Sequence, residues 1–371
     1  MTKRLVIVLA LAALALTAWG RGQGDGIRIG VAAPTTGNSA AVGQDFVNGA
    51  KLAVEEYNAR GGLLGRKIEL VAIDDMADPK QATLVAQQFV DKKVSGVVGH
   101  FTSGTTIPTT PIYSKARIPQ VTPASNPDVT GKGFDNVFSL NPSDIVQGSS
   151  MAKAVVPGLK LKKIAIVHDK QAFGQGVALE FEKAAKAAGA TVTSVNGITP
   201  GELDFKAVLT KVNGERPDAV FFGGVYTEGG LVLKQLRELG SRVLFLAPDS
   251  CYGGEFIKTA GEKNAEGAIV SFPAPPLDST PELKAFVESY KKTYNQDTIL
   301  GEYGYDAALL LLQAIQKAGS AEGQKVIQAL HGNTFQGTLH AYQFDATGQL
   351  AQDRFPVYEV KGGKFTFKGF F

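Results

Sequence analysis

Apolar and polar positions change period repeatedly along the chain, and each change marks an element. Ile27, Ile29 and Val31 alternate with polar or small residues and predict a first strand. Over residues 43–59 the spacing widens to that of a helix, with Phe46, Ala50, Ala53, Val54 and Tyr57 on one face and Gly61-Gly62 as its C-cap. Residues 68–73 read as a second strand. Pro79 opens a helix carrying Ala82, Val85 and Phe89, and residues 94–98 read as a short buried strand leading into a Ser/Thr-rich loop. The same grammar restarts near residue 162. Strands at 164–167, 191–195, 219–222 and 243–246 alternate with helices near 174–188, 205–212 and 228–239. Pro273, Pro275 and Pro276 mark a break, helices follow near 281–294 and 304–317, and residues 337–371 alternate as antiparallel strands do. This punctuation predicts an α/β fold of two doubly wound, Rossmann-like lobes, mostly parallel, with helices on both faces of each sheet.

The start of the chain follows a different pattern. Lys3 and Arg4 precede an apolar run of about twelve residues, a length suited to a signal-peptide core and short of the ~20 needed to cross a bilayer. Ala18-Trp19-Gly20 fits a cleavage site, so residues 1–20 are expected to be removed after Gly20, with a cut after Ala18 as the competitor. With no cysteine near the cut, a lipid anchor is not expected. Losing Lys3 and Arg4 brings the net charge from +3 to +1. The protein is expected in the periplasm, exported and soluble.

Composition narrows the function classes. A chain of 371 residues, 44% hydrophobic and 20% charged, can bury large cores without staples. Its near-neutral balance makes no electrostatic case for nucleic acid. One cysteine, Cys251, excludes an intramolecular disulfide and a multi-cysteine metal site, and four scattered histidines argue against a histidine site. No metal and no cofactor are expected.

The motifs are weighed one by one. Gly61 to Lys67 mimics a phosphate loop but joins helix to strand and lacks the Ser/Thr, so it reads as a turn. Gly174-Gln175-Gly176 opens a helix, but the third glycine position holds Leu179, which argues against a dinucleotide. Asp74-Asp75 reads as a loop and capping pair, and His100 and His168 as hydrogen-bonded structural residues at strand ends; no G-x-S-x-G elbow is present. The segment Gly99 to Thr106 follows a strand and leads into a helix. Its N–H groups and hydroxyls suit a carboxylate, or equally an ordinary cap. Ala247-Pro248-Asp249-Ser250 places an acid at a second strand end.

At these residues the chain resembles the periplasmic leucine/isoleucine/valine-binding proteins of bacterial ABC importers, over essentially the whole mature length. The matching stretches include Val71 to Asp75 with Asp78 to Ala82, Gly99-His100, Thr122-Pro123-Ala124, Ile164 to Gln171, Gly223-Gly224 and Ala265-Glu266-Gly267, the run near His168 being the most specific. The resemblance implies two lobes joined by a three-strand hinge, residues 27–143 with 274–346 and residues 144–273 with 347–371, closing on one amino acid. It implies that Ser103 holds the ligand carboxylate, that Ala124 offers a carbonyl to the ammonium, that Asp249 pairs with that ammonium in place of a longer glutamate, and that Phe173 walls the pocket. Tyr226 and Tyr303 complete an apolar side-chain pocket. The sequence departs from the family at the loop after Ala124, where Ser125 or Asn126 replaces a threonine, at tyrosine positions that fall on Val42 and Val225, and at the first-lobe disulfide positions, Ala77 and Thr102.

The expected function is therefore extracytoplasmic capture of an amino acid, branched-chain before others, and delivery to a membrane ABC permease. The protein is expected to be a monomer without enzymatic activity. The alternatives are the same fold holding an amide, an aromatic acid or urea, which would dispense with zwitterion pairing, and a secreted hydrolase, which would show turnover. A receptor's sensor domain is a third.

Overall fold

The computed structural model describes residues 26–352 and 355–370. The expected signal segment, residues 1–20, lies outside them. The strands are β1 (Ile27–Ala33), β2 (Ile68–Asp74), β3 (Gly96–Val98), β4 (Gln120–Thr122), β5 (Val137–Ser139), β6 (Lys163–His168), β7 (Thr191–Gly197), β8 (Ala219–Gly223), β9 (Leu244–Ala247), β10 (Ile269–Ser271), β11 (Phe335–Gln336), β12 (Ala341–Tyr342), β13 (Pro356–Lys361) and β14 (Lys364–Phe370). Five form a wholly parallel sheet in the order β2-β1-β3-β4-β5. Seven form a second sheet, β14-β13-β10-β9-β8-β6-β7, parallel except where β13 and β14 pair antiparallel at one edge. The strands β11 and β12 make a separate short ribbon.

The parallel strands are buried on both faces, as helix-covered sheets require. Ile29, Val31, Ala32 and Ala33 of β1 are inaccessible, as are Ile164 to Val167 of β6. One face of the first sheet packs with Phe46, Ala50, Leu311 and Ile315, the other with Val85, Phe89 and Tyr113. The second sheet also has two cores, one around Phe222 and Phe245, the other around Phe181 and Phe221, whose rings stack 4.0 Å apart.

The helices that bear on function are α1 (Ala40–Ala59), α2 (Ser103–Lys115), α3 (Ala172–Ala187), α4 (Tyr226–Glu238) and α5 (Gly301–Ala318). Helices α1 and α5 meet backbone to backbone. A Cβ added at Gly49 would lie 1.8 Å from the Gly301 carbonyl, and one at Gly304 would lie 1.9 Å from the Phe46 carbonyl. The glycines here serve close approach, and the apolar faces of both helices then cover β1 and β3. Asp78 caps the helix that Pro79 opens, accepting the Gln81 N–H, as the sequence pattern anticipates.

The chain passes between the two sheets three times: after β5, after β10 and before β13. The second passage contains the Pro273–Pro276 break. Because every parallel strand runs toward its own cleft end, the carboxyl ends of both sheets converge on the space these passages flank. Among the described residues no helix is long and apolar enough to cross a membrane.

Candidate ligand-binding site

A cavity of about 450 Å³ opens between the strand ends of the two sheets. Its first wall is built by loops of the five-stranded sheet. Thr102 caps α2 with its Oγ1 toward the Thr105 N–H, which places Ser103 in the first turn, almost fully buried and on the cavity wall. The Ser103 hydroxyl oxygen accepts the Asn126 N–H at 3.2 Å, so its own proton is free to be donated into the cavity. Among the described residues no backbone acceptor pairs with the N–H of Ser103 or Gly104, the orphan donors of a helix start. Hydroxyl, amides and helix dipole together make an anion-holding corner.

Pro123, Ala124 and Ser125 continue this wall. The Ala124 N–H donates to Thr122 Oγ1 at 3.0 Å, and the Ala124 carbonyl accepts Ser139 Oγ at 2.8 Å, which leaves a lone pair for a second donor. Ser125 faces the cavity and Asn126 does not. Asn126 caps the short helix Pro127–Thr130 and donates from Nδ2 to the Ala172 carbonyl at 2.7 Å, tying this loop to the start of α3.

The second wall carries carboxylates. Asp249 follows β9, is half-buried, and accepts the Ser250 N–H at 2.9 Å. Burial pushes its carboxyl up to about 6 against the opposing pull of Gln147 and the Ser250 N–H. Asp169 follows β6 and accepts the Gln171 N–H at 2.9 Å; burial lifts it to about 7, with the Gln171 N–H pulling down and the Glu228 charge pushing up. Glu228 stands in the first turn of α4 and is 2% exposed. One of its oxygens accepts the Gly201 N–H at 3.0 Å, and the other is buried with no partner among the described residues. Among the described residues no lysine, arginine or histidine lines the cavity. Three carboxylates thus line a cleft to which the described residues supply no positive side chain, an arrangement that favours a cation arriving from outside.

The remaining lining mixes polar side chains, Thr36, Asn38, Asn141 and Gln171 among them, with an apolar set. Val42, Phe101, Phe173, Val225, Phe272 and Leu300 contribute, with Tyr226 and Tyr303. The Tyr226 hydroxyl donates to the Asn38 carbonyl across the cleft at 3.2 Å. The Tyr303 hydroxyl is buried without a partner among the described residues, and burial together with the Asp249 charge holds its pKa well above the ordinary value. Behind Ser125 sits Asp144, fully buried, its carboxyl raised by burial, lowered by the Ser125 side chain and raised again by Asp249 and Glu180.

Seven of the eight residues singled out from sequence therefore line one cavity: Ser103, Ala124, Ser125, Phe173, Tyr226, Asp249 and Tyr303. Asp169 and Glu228 were not anticipated. Asp169 lies in the run that carries the family resemblance, but it reads there as an ordinary strand-end acid. Glu228 carries the signature of a helix first turn, and that signature conceals a site residue. The histidines are structural as expected: His100 is hydrogen-bonded on both ring nitrogens and His168 Nδ1 accepts the Lys170 N–H at 3.1 Å. Asp74 and Asp75 hold loop backbone at Met76 and Ala77.

Comparison with known proteins agrees with this architecture. The profile of the family described as periplasmic binding protein matches residues 26–364. A leucine-, isoleucine-, valine-, threonine- and alanine-binding protein of Pseudomonas aeruginosa is 35% identical over 360 residues, covering 96% of either chain. A leucine-binding protein of Thermotoga maritima superposes with a TM-score of 0.86 at 30% identity, covering 93% of this chain and 98% of that one. A branched-chain amino acid substrate-binding protein of Streptococcus pneumoniae, solved with isoleucine, superposes with a TM-score of 0.84 at 28% identity over 93% of this chain and all of the other. With a parallel two-sheet fold, a cleft at the strand ends and a family match over nearly the whole described chain, this protein belongs to the periplasmic binding protein family.

Proposed function

We propose that the protein captures a branched-chain amino acid in the inter-sheet cavity and hands it to an ABC permease, acting outside the cytoplasm as a binding protein and not as an enzyme. The observation that carries this reading is the polarity of the cavity: a helix start with free donors at Ser103 on one wall, carboxylates on the other, no cationic side chain among the described residues, and an apolar patch of Val42, Phe101, Phe173, Val225, Phe272 and Leu300. A zwitterion leaving water needs a partner for each charge. The Ser103 corner takes the carboxylate; the Ala124 carbonyl and Asp249 take the ammonium from opposite walls, so the ligand bridges both sheets. Phe173, Val225 and Leu300 receive the side chain, and burying one of leucine size contributes about 1.5–3 kcal/mol.

The acidic wall speaks against an aromatic acid, whose only charge would face Asp169, Glu228 and Asp249. The names of the relatives support an aliphatic amino acid over an amide or urea. On this reading residues 27–143 with 274–346 form one lobe and 144–273 with 347–371 the other, and the three passages between sheets act as the hinge. The protein works as a monomer.

Titration calorimetry with leucine, isoleucine, valine, threonine, alanine, glutamate and benzoate tests this. Tight one-to-one binding of the branched aliphatics is expected, with glutamate and benzoate silent. Preference for an anion, or turnover of any of these compounds, refutes the reading.

A further inference from the structure

A fully buried polar cluster lies behind the cavity wall that carries Ser103. His100 Nδ1 is 2.7 Å from Asp75 Oδ2, and His100 Nε2 is 3.0 Å from the Tyr113 hydroxyl. All three side chains are inaccessible to water. The carboxylate of Asp75 accepts, so Nδ1 carries a proton, while Nε2 is held by the Tyr113 hydroxyl. The burial of Tyr113 and the nearby Asp75 charge hold its phenol well above the ordinary range, so it remains a donor.

Three loops of the first wall are tied to this cluster. Asp75 accepts the Ala77 N–H through Oδ1 at 3.0 Å and the histidine through Oδ2, so one carboxylate spans the loop that carries Met76 and Ala77. Met76 and Ala77 both hold left-handed backbone, φ 56 and 53, a conformation that costs energy away from glycine and persists because such bonds hold it. The His100 carbonyl accepts two hydroxyls, Thr106 Oγ1 at 3.0 Å and Thr122 Oγ1 at 2.7 Å. Thr106 lies one turn along α2 from Ser103, and Thr122 Oγ1 in turn accepts the Ala124 N–H at 3.0 Å. Three loops far apart in sequence therefore take their spacing from one imidazole and its backbone.

We propose that His100, clamped by Asp75 and Tyr113, is a positioning residue for ligand capture: it sets the Ser103 donors, the Ala124 carbonyl and the Ala77 loop at the separation a bound amino acid requires. It touches no ligand. This rests on the reading that the Ser103 corner holds the carboxylate. A binding site must hold its groups within about 0.5 Å of productive geometry, and a buried network with every member bonded does so without help from the ligand.

The test is a double-mutant cycle on leucine affinity by titration calorimetry. Tyr113→Phe removes one hydroxyl and keeps the packing; Asp75→Asn keeps the shape and removes the charge. Tyr113→Phe is expected to weaken leucine binding by about 3- to 10-fold and Asp75→Asn by about 10- to 100-fold. Combined with Ser103→Ala, either loss should shrink to less than half its logarithmic size, because the group being positioned is gone. Full additivity, or no loss in the parent background, overturns the proposal. Ser103→Ala alone without effect would instead overturn the placement of the carboxylate, so the two failures are distinguishable. Nitrogen-15 NMR of the parent protein gives an independent reading. A His100 ring carrying a proton at Nδ1 is expected, and a ring protonated at Nε2 alone overturns the clamp whether or not the variants fold.

Discussion

Asp249→Asn is the sharpest perturbation of the proposed site, because it changes charge and almost nothing else. In the free protein burial raises the Asp249 carboxyl to about 6, outweighing Gln147, the Ser250 N–H and the backbone N–H of Asp249 itself, which stabilise its charge. On the proposed reading, an ammonium seated between it and the Ala124 carbonyl would be desolvated on both sides when the cleft closes. Removing one partner of such a buried pair costs about 3–5 kcal/mol, or about 150- to 5,000-fold in affinity. The pH dependence follows with a definite sign. The ligand's positive charge favours the ionised carboxylate, so binding releases the proton, and affinity rises with pH through about 6 and levels off above it. At pH 5 about one free site in eleven is ionised, so the parent should bind leucine about tenfold more weakly there than at pH 7. Stability of the free protein runs the other way. The folded carboxyl holds its proton more tightly than the unfolded one, so this group's contribution is lost as pH rises from about 4 to 6. Titration calorimetry at both pH values, on parent and variant, reads all of this. The variant should bind weakly at pH 7, and the steepness between pH 5 and 7 should fall away. Parent-like affinity in Asp249→Asn refutes Asp249 as the ammonium partner; an unchanged acid limb moves the titrating group to Asp169, whose carboxyl lies at about 7.

Further outcomes are expected. Ser103→Ala removes a charge-assisted hydrogen bond and should lower leucine affinity about 10- to 150-fold, with little change in the melting temperature of the free protein. Gly304→Ala forces a methyl group to within 1.9 Å of the Phe46 carbonyl and should lower the melting temperature by several degrees in calorimetry, with overpacking costing about 1–3 kcal/mol or more. Small-angle scattering should record a smaller radius of gyration with leucine than without, as hinge closure requires. The intact mass of the exported protein should correspond to a chain beginning at Arg21, from which the sole tryptophan, Trp19, is lost.

Local pattern alone determined much of this protein. The shift between strand and helix periods in residues 27–98 and again in 164–246 is a covalent property of the chain, and it dictates buried parallel strands covered by helices. Pro79 after Asp78 starts a helix wherever that segment sits, because the fixed φ and the capping carboxylate act within one turn. Ser103 and Asp249 were legible as strand-end residues, since parallel sheets place such residues at a cleft. Other features depend on contacts the sequence does not order. The strands β4, β5 and β10 have three residues each, too few to display a period, and they exist because neighbouring strands supply their hydrogen bonds. The chain's last strands, β13 and β14, join the second sheet by crossing back after a long excursion, a choice set by the exposed edge of β10 and not by their own alternation. Glu228 comes to line the cavity only because the fold buries it beside the Gly201 loop, which covers one of its oxygens while the other is left buried and without a partner among the described residues. The alignment of His100 with Asp75 and Tyr113 joins residues 25 and 13 positions apart in sequence, a meeting that requires β1 to lie between β2 and β3. Periodicity is felt within a few residues and survives in the unfolded chain's sequence; the pairing of distant polar groups is decided only when tertiary burial removes the water that would otherwise satisfy them.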